Sequence, residues 1–203
     1  MKIPNTDFKL EVSAFKASKG MLTTGEAKQQ GISIYTLKRM TSCGLIIRLG
    51  RGFYRLAELP PLENSDLTLV SLRAPEAVIC LISALDFHHL TTRIPHYIYL
   101  AVERGRNRPR ISYPRTRIFQ FAGKSFSEGI EKHQFDNQLV RIYSVEKTLA
   151  DCFKYRNKIG MDVILEALKN YRQSKKFNVE KVLYYADLCR VESVISPYLE
   201  TLL

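Results

Sequence analysis

Residues 22–56 read LTTGEAKQQGISIYTLKRMTSCGLIIRLGRGFYRL. Thr23 or Thr24 can cap a short helix running through Gln30, because a hydroxyl there accepts one of the free N–H groups of a first turn. Gly31 ends that helix and turns the chain. Ser33 is placed to cap a second helix, IYTLKRMTS, and Gly44 stops it. Two β-prone runs follow, LIIRL and FYRL, separated by Gly50-Arg51-Gly52. Helix, glycine turn, helix and a hairpin with a basic tip form the layout of a winged helix-turn-helix. In that layout the second helix enters the DNA major groove.

The periodicity agrees. In IYTLKRMTS, Leu37 and Met40 fall three apart on one face, with Ile34 a further candidate for it. Tyr35, Thr36, Lys38, Arg39 and Ser42 are left for the other faces. An inner apolar stripe can hold the helix while a polar outer face reads a groove. Lys and Arg bind phosphates or guanine edges, and Thr, Ser and Tyr bond to bases or phosphates. With Thr24 and Ser33 at the two helix starts, and Arg48 and Arg51 on the hairpin, these residues make the expected DNA-binding set. An ordinary solvated helix also carries Lys and Arg outside. The glycine turn before this one and the arginine-tipped hairpin after it favour DNA.

The charge is distributed to match. The chain has 203 residues and a net charge of +11. Residues 1–60 hold ten Lys or Arg against four Asp or Glu, a surplus of six. Residues 103–117 hold six arginines and one Glu, a surplus of five, so the rest of the chain is neutral on balance. Two basic regions on a neutral body fit a polyanion bound at defined places. Hydrophobic residues make up 45% of the chain, which allows a packed core and excludes overall disorder. No apolar run approaches the ~20 residues of a membrane span. The opening MKIPNTDFKLEV lacks the apolar core of a signal peptide, so a cytoplasmic location is expected. Cys43, Cys80, Cys152 and Cys189 form no C-x-x-C pair and are expected as reduced, mostly core thiols.

The organisation that follows is a winged-helix head over 1–60 and an α+β body over 66–203 with a helical C-terminal half. A first helix is expected over 8–17, and ELPPLENS at 58–65 reads as a linker. In the body, 66–72 and 75–87 look helical, with Pro75 at a permitted first-turn position. HYIYLAV (96–102) alternates as a strand, and RIFQFAG (117–123) is a second. Further strands are expected near 130–135 and 138–143. From Ser144 the pattern is helical, with segments starting at Ser144, after Gly160, after Asn178 and at VESVISPYLETLL. No internal repeat is visible.

Several fragments together resemble a known family. LTTGEAKQQGISIYTLKRM…GLIIRLGRGFY resembles the N-terminal winged helix of AbiEi-type antitoxins of type IV toxin–antitoxin and abortive-infection systems. Ile34 and Tyr35 stand where that family leads one to expect polar or basic residues. ISALDFHHLTTRIPHYIYLAV (82–102) resembles the second-domain signature of the family. RIYSVEKTLADCF (141–153) resembles its strand-to-helix element. The resemblance implies an antitoxin and transcriptional autorepressor, active in phage defence, that binds repeats in the promoter of its own operon. It implies a nucleotidyltransferase-like toxin as functional partner, counteracted without a stable complex. The 66–203 domain would carry antitoxicity and assist DNA binding. No cofactor and no catalytic residue are implied.

Other constellations weigh less. Ser144-Val145-Glu146-Lys147 matches S-x-x-K, but no S-D-N or K-T-G accompanies it. The expected reading is a helix cap followed by a surface Glu and Lys. Asp151, four residues after Lys147, would form a helix pair contributing ~0.3 kcal/mol. His88, His89 and His96 lack metal-site spacing, and a structural role for His88 or His89 is expected instead. The 103–117 stretch carries Arg104, Arg106, Arg108, Arg110, Arg115 and Arg117 in an extended hairpin loop. A second phosphate-contact site through Arg104, Arg106, Arg108 and Arg110 is the preferred reading. A merely solvated loop, an acidic protein partner and RNA are the alternatives. The competing function class is a DNA-binding head tethered to a catalytic or nucleotide-binding body. No P-loop, G-x-G-x-x-G or H-E-x-x-H supports it.

Overall fold

The computed structural model describes residues 8–60, 64–111, 113–135 and 138–201. The reading of the first seven residues, and of 61–63 in the linker, lies outside the described residues. The chain divides between Ser65 and Asp66 into two units, each with its own core.

In the first unit the order is α1 (Lys9–Ala17), β1 (Met21–Thr23), α2 (Thr24–Gln29), α3 (Ile34–Ser42), β2 (Ile46–Gly50) and β3 (Phe53–Leu56). Thr23, and not Thr24, caps α2. Its hydroxyl accepts from the Glu26 N–H while the Glu26 carboxylate accepts from the Thr23 N–H, satisfying two end groups at once. The strands form an antiparallel sheet ordered β1-β3-β2. A register shift between Arg48 and Gly50 leaves Arg51-Gly52 as the hairpin tip, with Gly52 at φ +77°. Phe15, Leu22, Ala27, Leu37, Met40 and Ile46 are sealed from water and join the three helices to the sheet.

The second unit runs α4 (Ser65–Arg73), β4 (Val78–Ile79), α5 (Leu81–Phe87), β5 (Ile98–Glu103) and β6 (Thr116–Phe121). It continues with α6 (Lys124–Ser127), β7 (Ile130–Phe135), β8 (Gln138–Tyr143), α7 (Val145–Lys154), α8 (Arg156–Ile159), α9 (Met161–Arg172), α10 (Val179–Leu188) and α11 (Glu192–Glu200). The sheet order is β6-β5-β4-β8-β7. Alternate residues serve opposite faces. Tyr99, Ala101 and Tyr143 enter the core under the C-terminal helices. Leu100, Val102 and Ile142 enter a second core that includes Leu67 and Val70 of α4.

Two expectations need correction. Residues 75–87 are not one helix. Val78 and Ile79 form a central strand paired with both β5 and β8, and Leu81 then takes φ +51°, which breaks helical continuity. The pairing is non-local, so helical spacing of apolar residues does not reveal it. The strand expected at 96–102 runs from Ile98 to Glu103, and positions 98–102 are all buried because both faces of the sheet are covered. The arginine-rich stretch is not a hairpin loop. β5 and β6 pair in parallel from Ile98↔Thr116 to Glu103↔Phe121, so the connection between them must return from one end of the sheet to the other.

Candidate nucleic-acid interface

The third helix of the head has a clean division. Leu37 and Met40 are fully buried, whereas Tyr35, Lys38, Arg39 and Ser42 are exposed. Ile34 belongs to the outer face, at 58% exposure, and not to the inner stripe. It is the first residue after the cap, where the helix has not yet turned onto the core. Sequence reasoning missed it as an exposed apolar residue beside Tyr35.

Hydrogen bonds define what the polar residues are free to do. Ser33 accepts from the Thr36 N–H at 3.0 Å, and the Ser33 and Thr36 hydroxyls lie 2.8 Å apart. The cap therefore fixes the angle at which the helix begins and joins two expected site residues. Thr41 and Ser42 turn their hydroxyls back onto the carbonyls of Leu37 and Lys38. Lys38 and Arg39 reach outward, and the Arg39 guanidinium lies 5.1 Å from the centre of the Phe8 ring. Thr24 is half-buried, and its N–H donates to the Gly52 carbonyl at 2.9 Å, joining the start of α2 to the wing tip. Arg51 is exposed at that tip. Arg48 is exposed one step earlier and donates to the Gly50 carbonyl. Arg55, counted in the basic surplus of the head, is buried and donates to the carbonyls of Leu59 and Pro60. It is a structural cation.

In the second unit, Arg104, Arg106, Arg108 and Arg110 are all exposed on the return connection. Arg106 pairs with Glu103 at 3.0 Å. This pairing partly neutralises its charge.

The S-x-x-K spacing resolves into a cap and a buried ion pair. The Ser144 hydroxyl accepts from the Lys147 N–H, as a cap should. Lys147 is not a surface residue. Its ammonium contacts the Asp151 carboxylate at 2.6 Å with both side chains sealed, and lies over the rings of Tyr143 and Phe121 at 4.4 and 4.9 Å. Burial pushes the Asp151 carboxyl above the usual carboxylate range, against the pull of Lys147. Burial, helped by the Asp151 charge, pushes the Cys189 thiol up to about 12. That thiol stays protonated and lies 3.3 Å from Asp151 as a donor. The surface value for such a pair does not apply to these groups.

The His88 ring lies 2.8 Å from the Tyr143 carbonyl, tying the end of α5 to the end of β8. This is a structural anchor. Among the described residues no three His, Cys, Asp or Glu side chains cluster to hold a metal, and no helix is long and apolar enough to cross a membrane. Cys80, Cys152 and Cys189 are buried and Cys43 is half-buried, all as free thiols.

No curated protein matches the chain. A crystal structure of the RV2827C protein from Mycobacterium tuberculosis superposes with a TM-score of 0.55 at 11% identity, covering 95% of this chain and 80% of that one. At that identity the likeness concerns the fold alone. Residues 11–57 match the family described as transcriptional regulator, AbiEi antitoxin. They run from within the first helix of the head to the end of the last wing strand. Over these residues the N-terminal unit is similar to the AbiEi antitoxin transcriptional regulators.

Proposed function

We propose that this chain is a type IV antitoxin that binds double-stranded repeats in the promoter of its own operon and represses it. The observation that carries this reading is the outer face of α3. Two buried residues and a capped first turn hold that helix, and it presents Ile34, Tyr35, Lys38 and Arg39 beside an arginine-tipped wing. Tyr35, Thr36, Lys38 and Arg39 enter the major groove, with Ile34 available to a thymine methyl. Thr24, Ser33, Arg48 and Arg51 contact the backbone or the minor groove. The exposed arginines at 104, 106, 108 and 110 add phosphate contacts without reading bases. In the same proposal the chain counteracts a nucleotidyltransferase-like toxin without forming a stable complex with it, and it acts without catalysis or cofactor.

Gel-shift titration on the upstream region, with random duplex as competitor, tests the first half. Arg39→Ala should lose about 1–3 kcal/mol on the promoter if Arg39 reads a base, and much less on random DNA. Equal affinity of the unaltered protein for promoter and random duplex would refute specific repression.

A further inference from the structure

The aromatic residues at one end of the second unit are arranged in a way that duplex binding does not call for. β6 is an edge strand, and its register places Arg117 beside Tyr99. The Arg117 guanidinium lies 4.6 Å from the centre of the Tyr97 ring and 6.0 Å from that of Tyr99. Phe119 stacks on Tyr99 at 5.9 Å, and the Lys158 ammonium lies 5.6 Å from Phe119 and 5.8 Å from Tyr155. Tyr97, Phe119 and Tyr155 are half-buried, whereas Arg117 and Lys158 are exposed. Where the two parallel strands begin, a cleft of about 410 Å³ is lined by Asp66, His96, Tyr97, Ile98, Tyr113 and Arg115. Tyr113 is 54% exposed, so its ring is not filling a core.

We propose that this cleft and the basic–aromatic strip leading from it along the edge strand bind single-stranded nucleic acid, with one base held in the cleft. Three features select that ligand. Unpaired bases offer π-faces that stack on aromatic rings and on guanidinium planes, and a duplex conceals those faces. Phosphates between successive bases find Arg115, Arg117 and Lys158, and none of these three pairs with a carboxylate among the described residues. Asp66 repels a phosphate but accepts hydrogen bonds from the exocyclic amino group of a base, so the cleft favours a base over a bare anion. An acidic protein segment would satisfy the cations and leave the rings without a stacking partner. The site uses none of the residues assigned to the groove-reading helix, so it stands apart from the operator reading.

Fluorescence anisotropy with the full-length protein tests the proposal, using a short labelled RNA, the DNA of the same sequence and the matching duplex. Both altered side chains of the double variant Tyr113→Ala with Arg115→Ser are exposed, so it should melt as the unaltered protein does. It should weaken binding of the single strands by about tenfold or more while leaving duplex binding within about twofold. Lys38→Ala with Arg39→Ala should do the reverse. Tighter binding of RNA than DNA would identify RNA as the ligand through its 2′-hydroxyls, and parity would identify any single strand. Three results would overturn the proposal. They are no binding of either single strand by the unaltered protein, an equal loss on duplex and single strands in the Tyr113/Arg115 variant, and displacement by polyglutamate as effective as by unlabelled RNA of equal charge.

Discussion

On an exposed helix, a Lys and an Asp spaced as Lys147 and Asp151 are contribute about 0.3 kcal/mol. Here water is excluded from both, and Asp151 also receives the Cys189 thiol. Removing one partner strands the other charge in a low-dielectric core. Lys147→Met alone should therefore cost about 3–5 kcal/mol by urea denaturation. Lys147→Met combined with Asp151→Leu should recover most of that loss. A double variant no more stable than the single would show that ion pairing is not what the site requires. His88 supplies a pH test. Burial holds its pKa below the ordinary value of about 6.5, against the hydrogen bond to Tyr143, so the unfolded chain takes up the proton first. Stability is then full above about pH 6.5 and falls as the pH drops from there toward the lower folded value. Denaturation between neutral and mildly acid pH should show this decline in the unaltered protein and less of it in His88→Gln, which keeps a donor near Tyr143. Parallel pH profiles would refute it. Residues whose role is local were legible in the sequence: Ser33 and Ser144 cap the helices they precede. Lys147 and Ile34 were not, because the same spacing suits a buried or an exposed side chain until the packing partners are known.

At the scale of elements, the head was legible almost throughout, since its helices, turns and wing follow from short-range signals within 35 residues. The body was legible where elements are long and capped. It was misread where a two-residue strand, Val78–Ile79, is fixed by partners far along the chain. The strand direction of β6 was equally hidden, because alternation does not distinguish a parallel from an antiparallel neighbour. That direction matters for the basic segment. A return connection spreads its charges between the two ends of the sheet instead of concentrating them at a hairpin tip. Changing Arg104, Arg106, Arg108 and Arg110 together to Ser should flatten the dependence of log K on log salt by roughly 0.9 for each arginine on a phosphate. Arg106 should contribute least, since Glu103 already pairs with it. Site preference should be unaltered. An unchanged salt slope would place the segment away from DNA.

At the scale of the molecule, the charge and the cores are divided along the chain. The first unit holds a small core and a surplus of basic residues, and the second holds two cores around a five-stranded sheet. The family match covers the head, at 11–57, so the reading of the body rests on its own residues and on the resemblance of its fragments. The proposed division of labour gives repression to the head and antitoxicity to residues 66–203. That division can be tested directly. Full-length protein, residues 66–203 and residues 1–60 should each be co-expressed with the nucleotidyltransferase-like toxin, and growth recorded. Rescue is expected from the full chain and from 66–203, because the second unit contains complete cores of its own and needs no side chain of the head to form them. The Lys38→Ala, Arg39→Ala form of the full chain should rescue as well while failing to shift the promoter, separating protection from repression. Rescue by residues 1–60 alone would move antitoxicity into the DNA-binding head, and failure of 66–203 despite a native melting transition would show that protection also requires the head.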